Sequence, residues 1–267
     1  MVGSLLLRGM LAGLLAGLLA FSLAWYLGEP LVERAIGLEE QLSGGGHSHG
    51  VSDVAAAAHE HEHESAAAEE EELVSRGVQS TVGLLTGVVV YGIGLGGLFS
   101  LVFAYAYGRV GPMDPRTLAA LLAVAAFLVV YLVPSLKYPA NPPAVGQGET
   151  IGIRTGLFFT MMVFSLAAAA AAVAISRRLA VRVGCWNGAI LAGLLFVVVV
   201  AVGQAFLPDI NEVPDAFPAV LLWRFRIASL FTQVLLWGGI GLMFGYLADR
   251  FLTEAKSVSG GKLVHQT

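Results

Sequence analysis

Five of the six histidines in the sequence fall within seventeen residues, at His47, His49, His59, His61 and His63, and carboxylates alternate with the last three at Glu60, Glu62 and Glu64. Four more, Glu69 to Glu72, follow at once. Imidazole and carboxylate together suit Co(II), Ni(II), Zn(II) or Cu(II), whereas calcium and magnesium sites rarely recruit imidazole. The i, i+2, i+4 alternation brings the clustered histidines to one side only in an extended chain, so no rigid tetrahedral site is encoded. A solvated low-complexity linker with incidental histidines is the competing reading, and the density of five weighs against it. The expected chemistry is loose collection of metal, weakening in acid because a protonated imidazole cannot ligate. His265 stands alone near the C-terminus and carries no such argument.

A second set of donors is oxygen on stiff backbone. Tyr138 to Gly146 reads YPANPPAVG, and Asn211 to Pro214 reads NEVP, with Glu29 and Glu33 after the first apolar stretch. Proline restricts such segments to turns and extended geometry. A vestibule presenting Asn141, Asn211 and Glu212, together with Glu29 and Glu33, is chemically reasonable for a hydrated divalent ion. The competing reading is that these prolines only terminate helices while Trp223 anchors an interface.

The elements that must position these donors are membrane helices. Of 267 residues, 57% are hydrophobic and 13% charged, and the mean hydropathy is +0.77, more apolar surface than a water-soluble core of this size could bury. Apolar stretches of the roughly 20 residues needed to cross a bilayer run Gly9 to Gly28, Val82 to Tyr107, Leu118 to Leu136, Thr155 to Ile175, Trp186 to Leu207 and Ile227 to Ala248, none with a charged side chain. The expected fold is all-α, a polytopic bundle of about six transmembrane helices. The first stretch could alternatively be a signal peptide, leaving a mature chain beginning near Trp25. The expected organisation is a first helix at 1–28, an acidic histidine-rich extracytoplasmic loop at 29–81, a five-helix bundle at 82–250 and a cytoplasmic tail at 251–267.

Basic residues beside a span are retained in the cytoplasm. With the N-terminus inside, the inner face holds nine basic groups against Asp114, Asp249 and Glu254, a net of +6, and the outer face carries −10. Both termini are therefore expected in the cytoplasm of a multi-pass inner-membrane protein, with cations concentrated at the outer face. Glycines at small-xxx-small spacing, Gly9, Gly13 and Gly17, Gly83 with Gly87, Gly92 with Gly96 and Gly241 with Gly245, suit close helix packing or, less simply, a glycine-lined route.

Several strings together resemble the CbtA family of predicted cobalt transporter subunits. They are Gly28-Glu29-Pro30 with Glu33 and Ala35-Ile36, Leu73-Val74-Ser75-Arg76-Gly77, Tyr138 to Gly146 with Glu149-Thr150-Ile151, and Asn211 to Pro214 followed by FPA and LWRFR. Their order and spacing cover nearly the whole chain apart from the histidine loop and the tail. The resemblance implies cobalt uptake linked to cobalamin synthesis, and a small single-span histidine-bearing companion of the CbtB type. The family is commonly given five crossings, where six are counted here.

No nucleophile–base constellation, GxSxG, HExxH or nucleotide-binding loop is present, which points away from an enzyme. A lone Cys185 excludes a disulfide framework, and no nucleic-acid partner is expected. The spans carry no carboxylate or histidine for a proton relay, leaving Gln204, Gln233, Asn187, Met161, Met162 and Met243 as interior donors, each as readily packing. No tightly bound cofactor is expected beyond the transported ion. The second functional reading is an accessory or sensor that presents metal to another transporter without conducting it.

Overall fold

The computed structural model describes residues 2–44 and 75–264. His47, His49, His59, His61, His63 and His265 lie outside the described residues. Six helices long and apolar enough to cross a membrane are present: α1 Val2–Gln41, α2 Arg76–Ala106, α3 Pro115–Lys137, α4 Gly148–Val183, α5 Cys185–Phe206 and α6 Ala219–Ala255. No strand occurs among the described residues.

Each expected span lies within one of these helices or within two residues of its end, and several helices outrun the lipid. At 1.5 Å per residue the 40 residues of α1 extend about 60 Å, roughly twice the hydrocarbon thickness. The helix does not stop at Gly28. It passes through a single π turn at Ala24–Gly28 and continues as Glu29–Gly44, so part of the length expected as loop is helical. Helical backbone likewise carries α6 on to Val264. Hydropathy marks where the lipid ends, and a helix with satisfied backbone has no reason to end there.

Helices α1, α2, α3 and α6 form the main body. Close approach of α1 to α2 rests on glycine: a Cβ on Gly9, Gly13, Gly92 or Gly96 would overlap the backbone of the facing helix. Lipid provides no hydrophobic drive for association, so this backbone contact supplies dispersion that larger side chains would forbid. On α6, added Cβ atoms at Gly241 and Gly245 would meet Ala123 and Ala119 of α3. Gly87 faces open space and Gly83 meets only the Val78 carbonyl of its own helix, so this pair makes no close helix–helix contact among the described residues. Phe99 and Phe103 of α2 meet Phe244 of α6 edge-on, at 5.5 and 4.9 Å between centroids.

Helix α3 is broken where the chain needs it to be. Pro134 has no N–H to donate and its ring crowds the preceding turn, and a wide turn at Phe127–Leu132 precedes it. Carbonyls around the break, which cannot turn to water in lipid, are met by side chains from the next two helices. The Ser165 hydroxyl of α4 donates to the Val129 carbonyl, and Gln204 Nε2 of α5 donates to the Val133 carbonyl at 3.0 Å. Through this stretch of α3 the antiparallel α4–α5 pair joins the body, with Val133, Tyr138, Met161 and Val200 as a second apolar cluster.

At the end holding the N-terminus, Arg116 Nε meets Asp249 Oδ2 at 2.8 Å, Asp114 caps α3 through the Thr117 N–H at 2.9 Å, and Arg8 lies over the Phe251 ring at 4.1 Å. At the opposite end Ala35, Val145 and Phe217 cluster, seating the C-terminal length of α1 against the loops that follow α3 and α5. The expected grouping of alternate loops is thus present in the packing.

Gly96→Val should place a branched side chain into the α1 backbone and cost about 1–3 kcal/mol, read as a lower thermal midpoint and reduced accumulation in the membrane. Gly87→Ala, with nothing within 4 Å, should leave both unchanged.

Candidate vestibule at the acidic end

Two proline-bearing loops close the end of the bundle opposite the N-terminus. Pro139 lies two residues past the end of α3, Pro208 two past the end of α5, and Pro218 directly precedes α6, so these prolines do delimit helices. They also build a cavity of about 670 Å³, lined among others by Tyr138, Asn141, Arg154, Asn211, Glu212 and Arg226. The structure therefore brings together three of the oxygen donors read from the sequence, Asn141, Asn211 and Glu212. Glu29 and Glu33 lie on the C-terminal length of α1 and do not line that cavity: Glu29 is ion-paired with Arg76 of α2, and Glu33 is exposed.

The loops are locked to each other at several points. Lys137 pairs with Asp209, and the Tyr138 hydroxyl donates to the Pro208 carbonyl at 2.9 Å. Glu212 Oε2 accepts the Gln147 N–H at 3.1 Å and lies 3.5 Å from Arg154 Nε. With its side chain only 12% exposed, Glu212 is shielded from the screening that makes surface pairs weak. The Thr150 hydroxyl foremost, then the Gln147 N–H and the charge of Arg154, hold the Glu212 carboxyl below the usual glutamate range against the cost of burial. Arg154 reaches Glu212 across Gly146, whose φ of +112° excludes other residues without strain and where a Cβ would collide with the guanidinium.

Asn141 is committed as well. Its Oδ1 accepts from Arg226 Nη2 of α6 at 2.9 Å. From Arg226 a polar face runs down α6 through Ser229, Gln233 and Trp237 at helical spacing. The Tyr131 hydroxyl of α3 shares a 3.1 Å hydrogen bond with Ser229, while Gln233 Oε1 and Trp237 Nε1 are buried with no partner among the described residues. Within the described residues no group of three or more His, Cys, Asp or Glu side chains is close enough to hold a metal.

A protein-family model described as Probable cobalt transporter subunit (CbtA) matches residues 2–249. The chain belongs to the CbtA family. No curated protein and no solved structure matches it. The match spans all six helices, so the CbtA assignment covers the body, the α4–α5 pair and the vestibule alike. As a family of transporter subunits in a bundle of membrane-length helices, CbtA places this chain in a lipid bilayer as one part of a transport system.

What sequence reasoning passed over in this CbtA chain is the pair of arginines. Neither Arg154 nor Arg226, the last residue of the LWRFR string, is among the expected site residues, yet both line the cavity. A signal was available: a guanidinium at a membrane edge must find acceptors, and the oxygen-rich strings were the nearest supply.

Glu212→Gln and Gly146→Ala should each free the loop at Gln147, read as faster amide hydrogen exchange there with protection of the α1–α2 core unchanged. Because the folded pKa of Glu212 is depressed, its contribution is complete above the ordinary glutamate value and is lost as pH falls through the depressed one. Protection of Gln147, corrected for intrinsic exchange, should hold constant from neutral pH down to the ordinary glutamate range and fall only below it.

Proposed function

We propose that this chain takes up a divalent transition metal, cobalt first, entering at the vestibule and supplying cobalamin synthesis. The observation that most supports it is the family match across residues 2–249. The geometry adds a polar cavity at the mouth of a bundle whose spans are otherwise apolar. In this reading the vestibule end faces outward, both termini are cytoplasmic and the membrane is the inner one. The charge partition across alternate loops motivates that orientation.

The loop histidines His47, His49, His59, His61 and His63 collect the ion loosely and raise its local concentration. Asn141, Asn211 and Glu212 at the cavity, with Glu29 and Glu33 on the adjoining outer length of α1, are the oxygen donors that meet it. The face of α6 bearing Ser229 and Gln233, beside Tyr131, offers the inward route past the apolar spans. A single-span companion of the CbtB type is the proposed partner, and energy coupling falls to the assembled system, since the spans hold no ionisable relay.

Radioactive cobalt uptake should appear in cells carrying this chain with its companion. Replacing the five loop histidines together should weaken uptake at low cobalt and leave it intact at saturating cobalt, whereas Glu212→Gln should lower it at both. Uptake lost equally at every concentration in the five-fold variant would make the loop part of the conduction step. Metal binding without any cobalt entry would favour the accessory reading.

Reporter fusions after Thr267 and within Ala55 to Ala58 should fall on opposite sides of the membrane. A C-terminal fusion that reports outside would overturn the orientation.

A further inference from the structure

The vestibule's charge is the wrong sign for a bare dication. Two guanidiniums, Arg154 and Arg226, line the cavity with one carboxylate, Glu212, among the residues around it. Glu212 already answers Arg154 at 3.5 Å. Arg226 has no ion pair among the described residues; its one hydrogen bond goes to the neutral amide oxygen of Asn141. Among the described residues Arg226 Nε is buried without a hydrogen-bond acceptor, while Arg154 Nε has only the ion-pair contact with Glu212. A guanidinium at a membrane edge, partly buried and lacking an anion, is costly unless an anion completes it. Its planar fork of donors matches a carboxylate in two parallel hydrogen bonds.

The geometry points to an oxyanion site: the cavity binds a small polycarboxylate, seated on Arg226 with Arg154 as the second cation. At about 670 Å³ the cavity is too large for one carboxylate group and lies within the usual range for a small molecule. Asn141 and Asn211 supply amide donors around the same space. A divalent metal held in an anionic polycarboxylate complex carries the charge this cavity accepts, so cobalt enters it as such a complex. That second statement rests on the transport reading; the anion site does not.

Citrate is the probe. Titrated without metal into the purified full chain in lipid nanodiscs, it should bind saturably by calorimetry, and acetate far more weakly. Arg226→Gln should weaken binding at least about tenfold, as expected for losing charged hydrogen bonds. Arg226→Lys, which keeps the charge and loses the fork, should fall between. Arg182→Gln, exposed at the far end of α4 and outside the cavity lining, should bind as wild type.

Absence of saturable binding to the wild-type chain overturns the site whatever the variants do. Equal binding by a folded Arg226→Lys and wild type also overturns it. If citrate does not bind and Arg226→Gln instead releases the companion subunit on purification, the anion is a partner's carboxylate and the proposal fails.

The metal half is read separately. At fixed total cobalt, adding citrate lowers the free ion, so uptake that rises in wild type and not in Arg226→Lys supports entry as the complex. Uptake that falls in step with free cobalt overturns it and leaves the transport reading intact. Citrate binding with no cobalt entry under either condition overturns the transport reading and leaves the anion site.

Discussion

In lipid a backbone carbonyl that loses its helical partner has no water to turn to, and α3 is disrupted at the one place where the molecule can answer that. Pro134 interrupts the ladder, and Ser165 and Gln204 donate to carbonyls on either side of the break. Those two donors come from α4 and α5, whose surfaces are otherwise mostly turned outward: within the helix of α4 only Met161 and Ser165 are buried. The break therefore fixes where a weakly embedded pair of helices docks. Both loops of the vestibule, which join α3 to α4 and α5 to α6, take their position from that docking.

The same scarcity of water explains the vestibule's economy of charge. At the N-terminal end Arg116 and Asp249 form a pair with the arginine side chain 58% exposed, where solvent screening leaves such pairs little net worth. At the vestibule, the Arg154 and Glu212 side chains are only 24% and 12% exposed. Glu212 accepts the Gln147 N–H and pairs with Arg154 at once, and stiff proline-bearing backbone keeps those groups from rearranging. A rigid, mostly satisfied ring of polar groups around one under-satisfied arginine is a preorganised receptor. The carboxylates that the sequence offers as bare ligands are thus already employed, Glu29 by Arg76 and Glu212 by Arg154.

Much of the architecture was legible because membrane physics is written in one dimension. A run of apolar residues either reaches across the hydrocarbon or does not, so all six spans could be read and all six are helices. Glycine spacing foretold the α1–α2 contact at Gly13 and Gly96, yet not at Gly87, because spacing says which residues share a face and not which face meets a neighbour. Helix ends were less legible. Glu29 to Gly44 looks like loop by hydropathy and is helix in space, since charge ends burial in lipid without ending hydrogen bonding.

The sequence by itself determined the number of crossings, the segregation of charge between alternate loops, and the donor chemistry of the YPANPPAVG and NEVP strings. Each of these depends on local composition and order alone. Only the tertiary structure decided that Asn141 faces Arg226, 85 positions away, that Gln147 meets Glu212, 65 away, and that Glu29 is claimed by Arg76, 47 away. The physical reason is that an ion or amide pair between helices is set by their crossing and rotation, which follow from packing against third and fourth elements. Periodicity along one helix carries no record of it.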